Sequence, residues 1–175
     1  MSAPNPGKPF GMNEIVVTNI GGTVQAALPA SRKMMCKERM KTGEFQGDDE
    51  LQAVASFLEA VEWELEAGGY SLEAIALMTG RTLVTSGSSP NEVKTLTGSG
   101  ATRMPYFKVY GKSLGDGDDD THILIYKAKI TDGMEGTLQN GEFLASNTKG
   151  IGVDDSVNGI YDIVLNETAS ALPSS

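Results

Sequence analysis

Between Leu58 and Glu66 the chain alternates: Val61, Trp63 and Leu65 are apolar, and Glu62, Glu64 and Glu66 lie between and after them. A period of two sends successive side chains to opposite faces of a strand. One face must therefore be buried, while the other is a row of carboxylates about 6.6 Å apart. Such a row repels itself unless cations on a neighbouring strand stand opposite. Residues 31–41 can supply them. Arg32, Lys33, Lys37, Arg39 and Lys41 are five of the 14 basic residues, and Met34, Cys36 and Met40 fall on one face if this segment is a strand. Helix-forming residue types also occur there, but the strand reading is favoured because it answers the carboxylate row.

The rest of the chain is mostly short β-type runs punctuated by glycine. Ile15–Ile20 stops at Gly21-Gly22, and Thr23–Leu28 continues it as far as Pro29. Thr42, Gly43, Glu44, Phe45, Gln46, Gly47, Asp48, Asp49 and Glu50 form a polar, acidic loop. Further strands are expected at 81–85, 93–96, 106–110, 121–130 and 159–165. Ser71–Gly80 predicts one short helix, with Ser71 as N-cap, Glu73 in the first turn and Gly80 as the stop. Seven to nine strands and one helix make an all-β domain at 14–167. A Pro- and Gly-rich arm at 1–13 precedes it and a tail at 168–175 follows.

Composition narrows the chemistry. The 175 residues include one cysteine, Cys36, and one histidine, His122, so an intrachain disulfide, a cysteine-based zinc site and most histidine chemistry are out of reach. A net charge of −9 disfavours broad attraction to nucleic acid. No apolar run approaches the ~18 residues of a membrane span. The first residues lack the apolar segment of a signal peptide, so synthesis and folding in a cytoplasm are expected.

Individual motifs favour plain structural readings. Asp116–Asp120 lacks the glycine and the twelfth-position glutamate of a calcium loop, because Thr121 and Lys127 stand there. It reads as a solvated hairpin tip, with a looser calcium site as the lesser alternative. Gly111-Lys112-Ser113 lacks the upstream glycine of a phosphate loop. The regular spacing of Glu62, Glu64 and Glu66 suits a surface better than a glycosidase pair. Cys36 beside Lys33, Lys37 and Arg39 could be an activated thiol, but it fits better as a small core residue. His122 reads as a polar residue on an exposed strand position. No catalytic, cofactor or metal residue is expected, and no enzyme.

Four segments, in order, resemble the tail tube (major tail) proteins of long-tailed bacteriophages. They are Val61–Ala74 running into the helix that ends at Thr79-Gly80, Tyr106–Lys112, Asp132-Gly133-Met134-Glu135-Gly136 with Gly141-Glu142-Phe143, and Tyr161-Asp162-Ile163-Val164 with Glu167-Thr168-Ala169. The resemblance spans about residues 50–170. It implies a β-sandwich or barrel of two packed sheets with a helix on one flank. It also implies hexameric rings stacked into a hollow virion tail tube, assembled in the host cytoplasm. The partners would be other copies of the chain, a tape measure protein, tail-terminator and baseplate or tail-tip proteins, with or without a sheath protein. DNA would pass without specific binding, and no membrane is involved. A tail-terminator, head–tail joining or secretion-tube protein on the same fold is the alternative. In this scheme Glu62, Glu64 and Glu66 face the lumen, residues 42–50 stack one ring on the next, and Arg32, Lys33, Lys37, Arg39 and Lys41 pair between subunits.

Overall fold

The computed structural model describes residues 8–47, 50–115, 117–140 and 145–173. In chain order the elements are β1 (Glu14–Asn19), β2 (Gln25–Ala27), β3 (Ser31–Gly47), β4 (Glu50–Ala67), α1 (Leu72–Thr79), β5 (Leu83–Ser86), β6 (Val93–Leu96), β7 (Phe107–Leu114), β8 (Asp120–Ile130), β9 (Glu135–Thr137), β10 (Ala145–Gly152) and β11 (Tyr161–Asn166). The fold is all-β with one short helix, as the strand-and-glycine pattern predicts.

Nine strands form one antiparallel sheet in the order β2-β1-β7-β8-β10-β4-β3, with β11 added to β8 and β9 to β10; β5 and β6 pair separately. The path curls so that its ends meet. The Ile15 amide donates to Ser31 Oγ at 3.0 Å, and the Met34 thioether occupies the space where Gly111 would carry a Cβ. Both layers of the fold thus come largely from a single coiled sheet. Between them lie Ile15 and Val17 of β1, Val61, Trp63 and Leu65 of β4, Phe107 and Val109 of β7, and Ile125, Ala128 and Ile130 of β8. Trp63 and Phe107 meet edge to face, 5.7 Å between centroids.

The helix forms as its caps predict. Ser71 Oγ accepts from the Ala74 amide at 3.2 Å, and Gly80 takes the left-handed conformation with φ 68°. Ala74 and Met78 close the core from the flank. Ile75 and Thr79 are also buried, whereas Leu72 of the expected face is only half-buried.

Several segments depart from expectation. Thr23–Leu28 does not prolong β1. Asn19 Oδ1 accepts from the Thr23 and Val24 amides at 2.8 and 3.0 Å, and this turn sends β2 back antiparallel onto β1. Two strands are unexpected, the short β9 and β10, and the β10 sequence Ala-Ser-Asn-Thr-Lys-Gly-Ile-Gly has no apolar alternation. Its glycines exist for close approach. A Cβ on Gly150 would overlap the Lys129 carbonyl and the Trp63 ring, and one on Gly152 would strike Val61 and Ile125. Replacing Gly150 by Ala is expected to lower the unfolding free energy by about 2 kcal/mol or more. Urea unfolding followed by the fluorescence of the single tryptophan measures this.

Candidate assembly surface

The carboxylates opposite the core of β4 are answered by β3, as the alternation requires. Glu66 meets Arg32 at 3.6 Å, Glu64 meets Lys33 at 3.1 Å, Glu62 meets Lys37 at 3.9 Å and Glu59 meets Arg39 at 3.0 Å. Glu64 also accepts from Asn147 Nδ2 at 3.0 Å. Its pKa is lowered, first by that hydrogen bond and then by Lys33. Arg32, Lys33, Lys37 and Arg39 have partners within the chain, because β3 is the hydrogen-bonded neighbour of β4 along this length. One expectation changes accordingly. The Glu62, Glu64, Glu66 face is a mixed-charge ladder and not a bare acidic wall. Most of these pairs are solvated and each stabilises by about 0–1 kcal/mol; their main effect is to remove the repulsion.

Beyond this ladder β3 and β4 continue alone. A register shift between Arg39 and Met40 marks the departure. β10 pairs with β4 only from Val61 to Ala67, so residues 40–47 and 50–58 form a two-stranded arm. Thr42–Gly47 is therefore strand and not loop, and Glu50 opens β4. Asp48 and Asp49 lie outside the described residues. Partners across the ladder share a face, which places Phe57 beside Lys41, Ala55 beside Gly43 and Ala53 beside Phe45. Phe45 is 63% exposed and Phe57 56%. The other face carries exposed Met40 and Val54 with a Thr42–Ser56 hydroxyl pair at 3.3 Å. A two-stranded ribbon without a core is marginal in water, and this one exposes Met40, Phe45, Val54 and Phe57.

At the end of the sheet where β8 begins, Gly117 and Asp118 are exposed as a solvated tip requires, but Asp120 is not. Asp120 is buried. One carboxylate oxygen accepts from Asn166 Nδ2 at 2.6 Å, and the other from the Ser170 amide at 2.7 Å, with Lys112 Nζ at 3.2 Å and His122 Nε2 at 3.1 Å. His122 is likewise buried and not exposed. Burial pushes the Asp120 carboxyl up, but the hydrogen bonds from Asn166, the Ser170 amide, Lys112 and His122 outweigh it and hold the pKa at about 2. This knot ties down the 168–173 segment, whose Leu172 packs with Val16, Tyr110 and Leu124. The preceding arm is docked too. The Phe10 amide donates to the Leu114 carbonyl and the Asn13 amide to the Lys112 carbonyl, both at 2.9 Å.

Cys36 faces the core opposite Trp63, and burial pushes its thiol up to about 11, far from an activated nucleophile. Among the described residues no three His, Cys, Asp or Glu side chains gather as a metal site requires, and no helix is long and apolar enough to cross a membrane. Neither a protein-family model nor a curated protein sequence matches the chain.

The Asp120 knot makes stability pH-dependent with a definite sign. Its folded pKa lies below the ordinary value of 3.8. Its contribution is therefore full above about pH 4 and is lost as pH falls toward 2. Asp120→Asn should flatten this acid limb of the unfolding midpoint and expose the 168–173 segment to proteolysis at neutral pH; a pH series of thermal melts with limited digestion checks both.

Proposed function

We propose that this chain is a structural subunit that closes into rings and stacks into a hollow tube, the tail tube of a long-tailed bacteriophage. The observation that carries the reading is the β3–β4 arm. It runs past the sheet as a bare hairpin with Phe45, Val54 and Phe57 in solvent. In an isolated protein such a ribbon is a liability; in a polymer it is the element that reaches the next ring.

The sheet edges support the same reading. β3 ends the strand path and β11 is paired only with β8. β11 presents Ile163 and Leu165, 60% and 61% exposed. Open edges favour pairing with another chain, and closure between subunits would remove them. A heterologous contact of this kind repeats around a ring when the rotation closes. A neutralised charge ladder beside an overall charge of −9 would let phosphate pass without binding it. The chain's partners in this reading are its own copies, a tape measure protein during assembly and transient DNA.

The test is negative-stain electron microscopy of the concentrated protein alongside a Phe45→Ser, Phe57→Ser double variant. Hollow filaments or stacked rings are expected from the parent chain. The variant should stay folded, because both side chains lie outside the core, and should fail to elongate. A parent chain that stays a monodisperse monomer at high concentration would overturn the reading.

A further inference from the structure

At the end of the sheet opposite the arm lies an open cleft of about 380 Å³, lined by Ile20, Tyr106, Lys108, Lys127, Val157 and Asn158 among others. Its apolar rim is in solvent: Ile20 is 45% exposed and Val157 85%. Lys108 and Lys127 line it together with the Asp155 carboxylate, and Lys129 stands beside Tyr106. Lys127 Nζ and Lys129 Nζ stand 5.3 and 4.9 Å from the Tyr106 ring centroid, so two ammonium groups converge on one aromatic face with Lys108 nearby. Among the described residues, no carboxylate forms an ion pair with these three lysines. Two carboxylates border the cleft and are otherwise engaged. Asp155 Oδ1 accepts from the Val157 and Asn158 amides at 2.8 and 2.6 Å, and Asp162 accepts from the Tyr126 hydroxyl at 2.5 Å.

The topology says which part of which molecule can reach this cleft. β4 runs parallel to β8, since β10 is antiparallel to both. Val61 is level with Ala128 through Gly152, and from there the arm extends toward the Asp120 end of β8. About 36 Å of strand separates Glu50 from Val61. Ile20 and Tyr106 instead lie just beyond the Asn19–Phe107 pair, which is level with Ala128 on the other side. Arm and cleft thus point in opposite directions, and a chain's own arm leads away from its own cleft. The arm's sequence from Thr42 to Glu50 holds four carboxylates, those of Glu44, Asp48, Asp49 and Glu50, beside exposed Phe45 and Val54. Its chemistry is the complement of a lysine-rich cleft with an apolar rim.

We infer that the cleft around Tyr106, Lys108, Lys127 and Lys129 is the seat for the acidic end of the β3–β4 hairpin of a second copy. This inference rests on the stacking role proposed above and names its receiving surface. The contact is head to tail and leaves a free arm and a free cleft at the two ends of every stack, so it propagates. Carboxylates entering the cleft relieve the mutual repulsion of the lysines while the rim covers apolar side chains of the arm.

Charge reversal tests it. One variant carries Lys108→Glu, Lys127→Glu and Lys129→Glu; the other carries Glu44→Lys, Asp48→Lys, Asp49→Lys and Glu50→Lys. Circular dichroism checks that each is folded, and sedimentation with electron microscopy reads assembly. Each variant alone should raise the critical concentration at least about tenfold. An equimolar mixture should assemble, because each reversed surface then meets its complement. A single chain carrying both sets of reversals should also assemble. If the lysine variant polymerises like the parent chain, or if the mixture and the doubly reversed chain both stay dispersed, the cleft is not the seat and the tube reading stands on its own. If the parent chain forms no polymer, the tube reading and this contact fall together.

Discussion

The packing of Trp63 between Phe107 and Gly150 is the constraint from which the rest of the sheet takes its shape. A ring of that size can be buried between layers only if the strand beneath it carries no side chain at the point of contact. β10 meets this condition with Gly150, and repeats it with Gly152 beneath Val61 and Ile125. Because β10 lies flat against β4, the sheet can continue from β8 through β10 to β4 and β3 without a break. Gly111 permits a second close approach, where the curl brings Met34 over β7.

Much of this was legible in the residues. The alternation of β4 gives its buried face directly, and the charges on β3 give its neighbour, because a carboxylate row must be answered by cations at strand spacing. The helix declared itself through Ser71 and Gly80. What could not be read locally depends on contacts distant in the chain. β10 has no amphipathic signature because its contribution is an absence of side chains. Thr42–Gly47 looks like a loop by composition, yet pairing across the ladder with Leu51–Ser56 keeps it extended. Asp120 and His122 looked like surface residues because their partners Lys112, Asn166 and Ser170 come from three separate segments. The intrachain partners of the basic residues of β3 follow from its register on β4, which sets Lys33 opposite Glu66 and Lys37 opposite Glu62.

The distribution of charge then takes on a different meaning. Along β3 and β4 the two signs cancel at short range, whereas Lys108, Lys127 and Lys129, which no carboxylate pairs among the described residues, stand at the end away from the arm. Lysines gather at the Tyr106 end, and carboxylates fill the arm sequence. An asymmetric molecule of this kind favours polar, head-to-tail association over back-to-back pairing, since like ends repel.

The bare hairpin also has a mechanical consequence. The body of the subunit is a coiled, glycine-packed sheet and resists deformation, while the arm is held by one ladder of hydrogen bonds and no core. In a stack linked through such arms, strain concentrates in the thin connectors and not in the subunits. Bending of the filament is then taken up by flexure of paired ribbons whose length sets the compliance, so that a curved tube keeps a bore of constant shape.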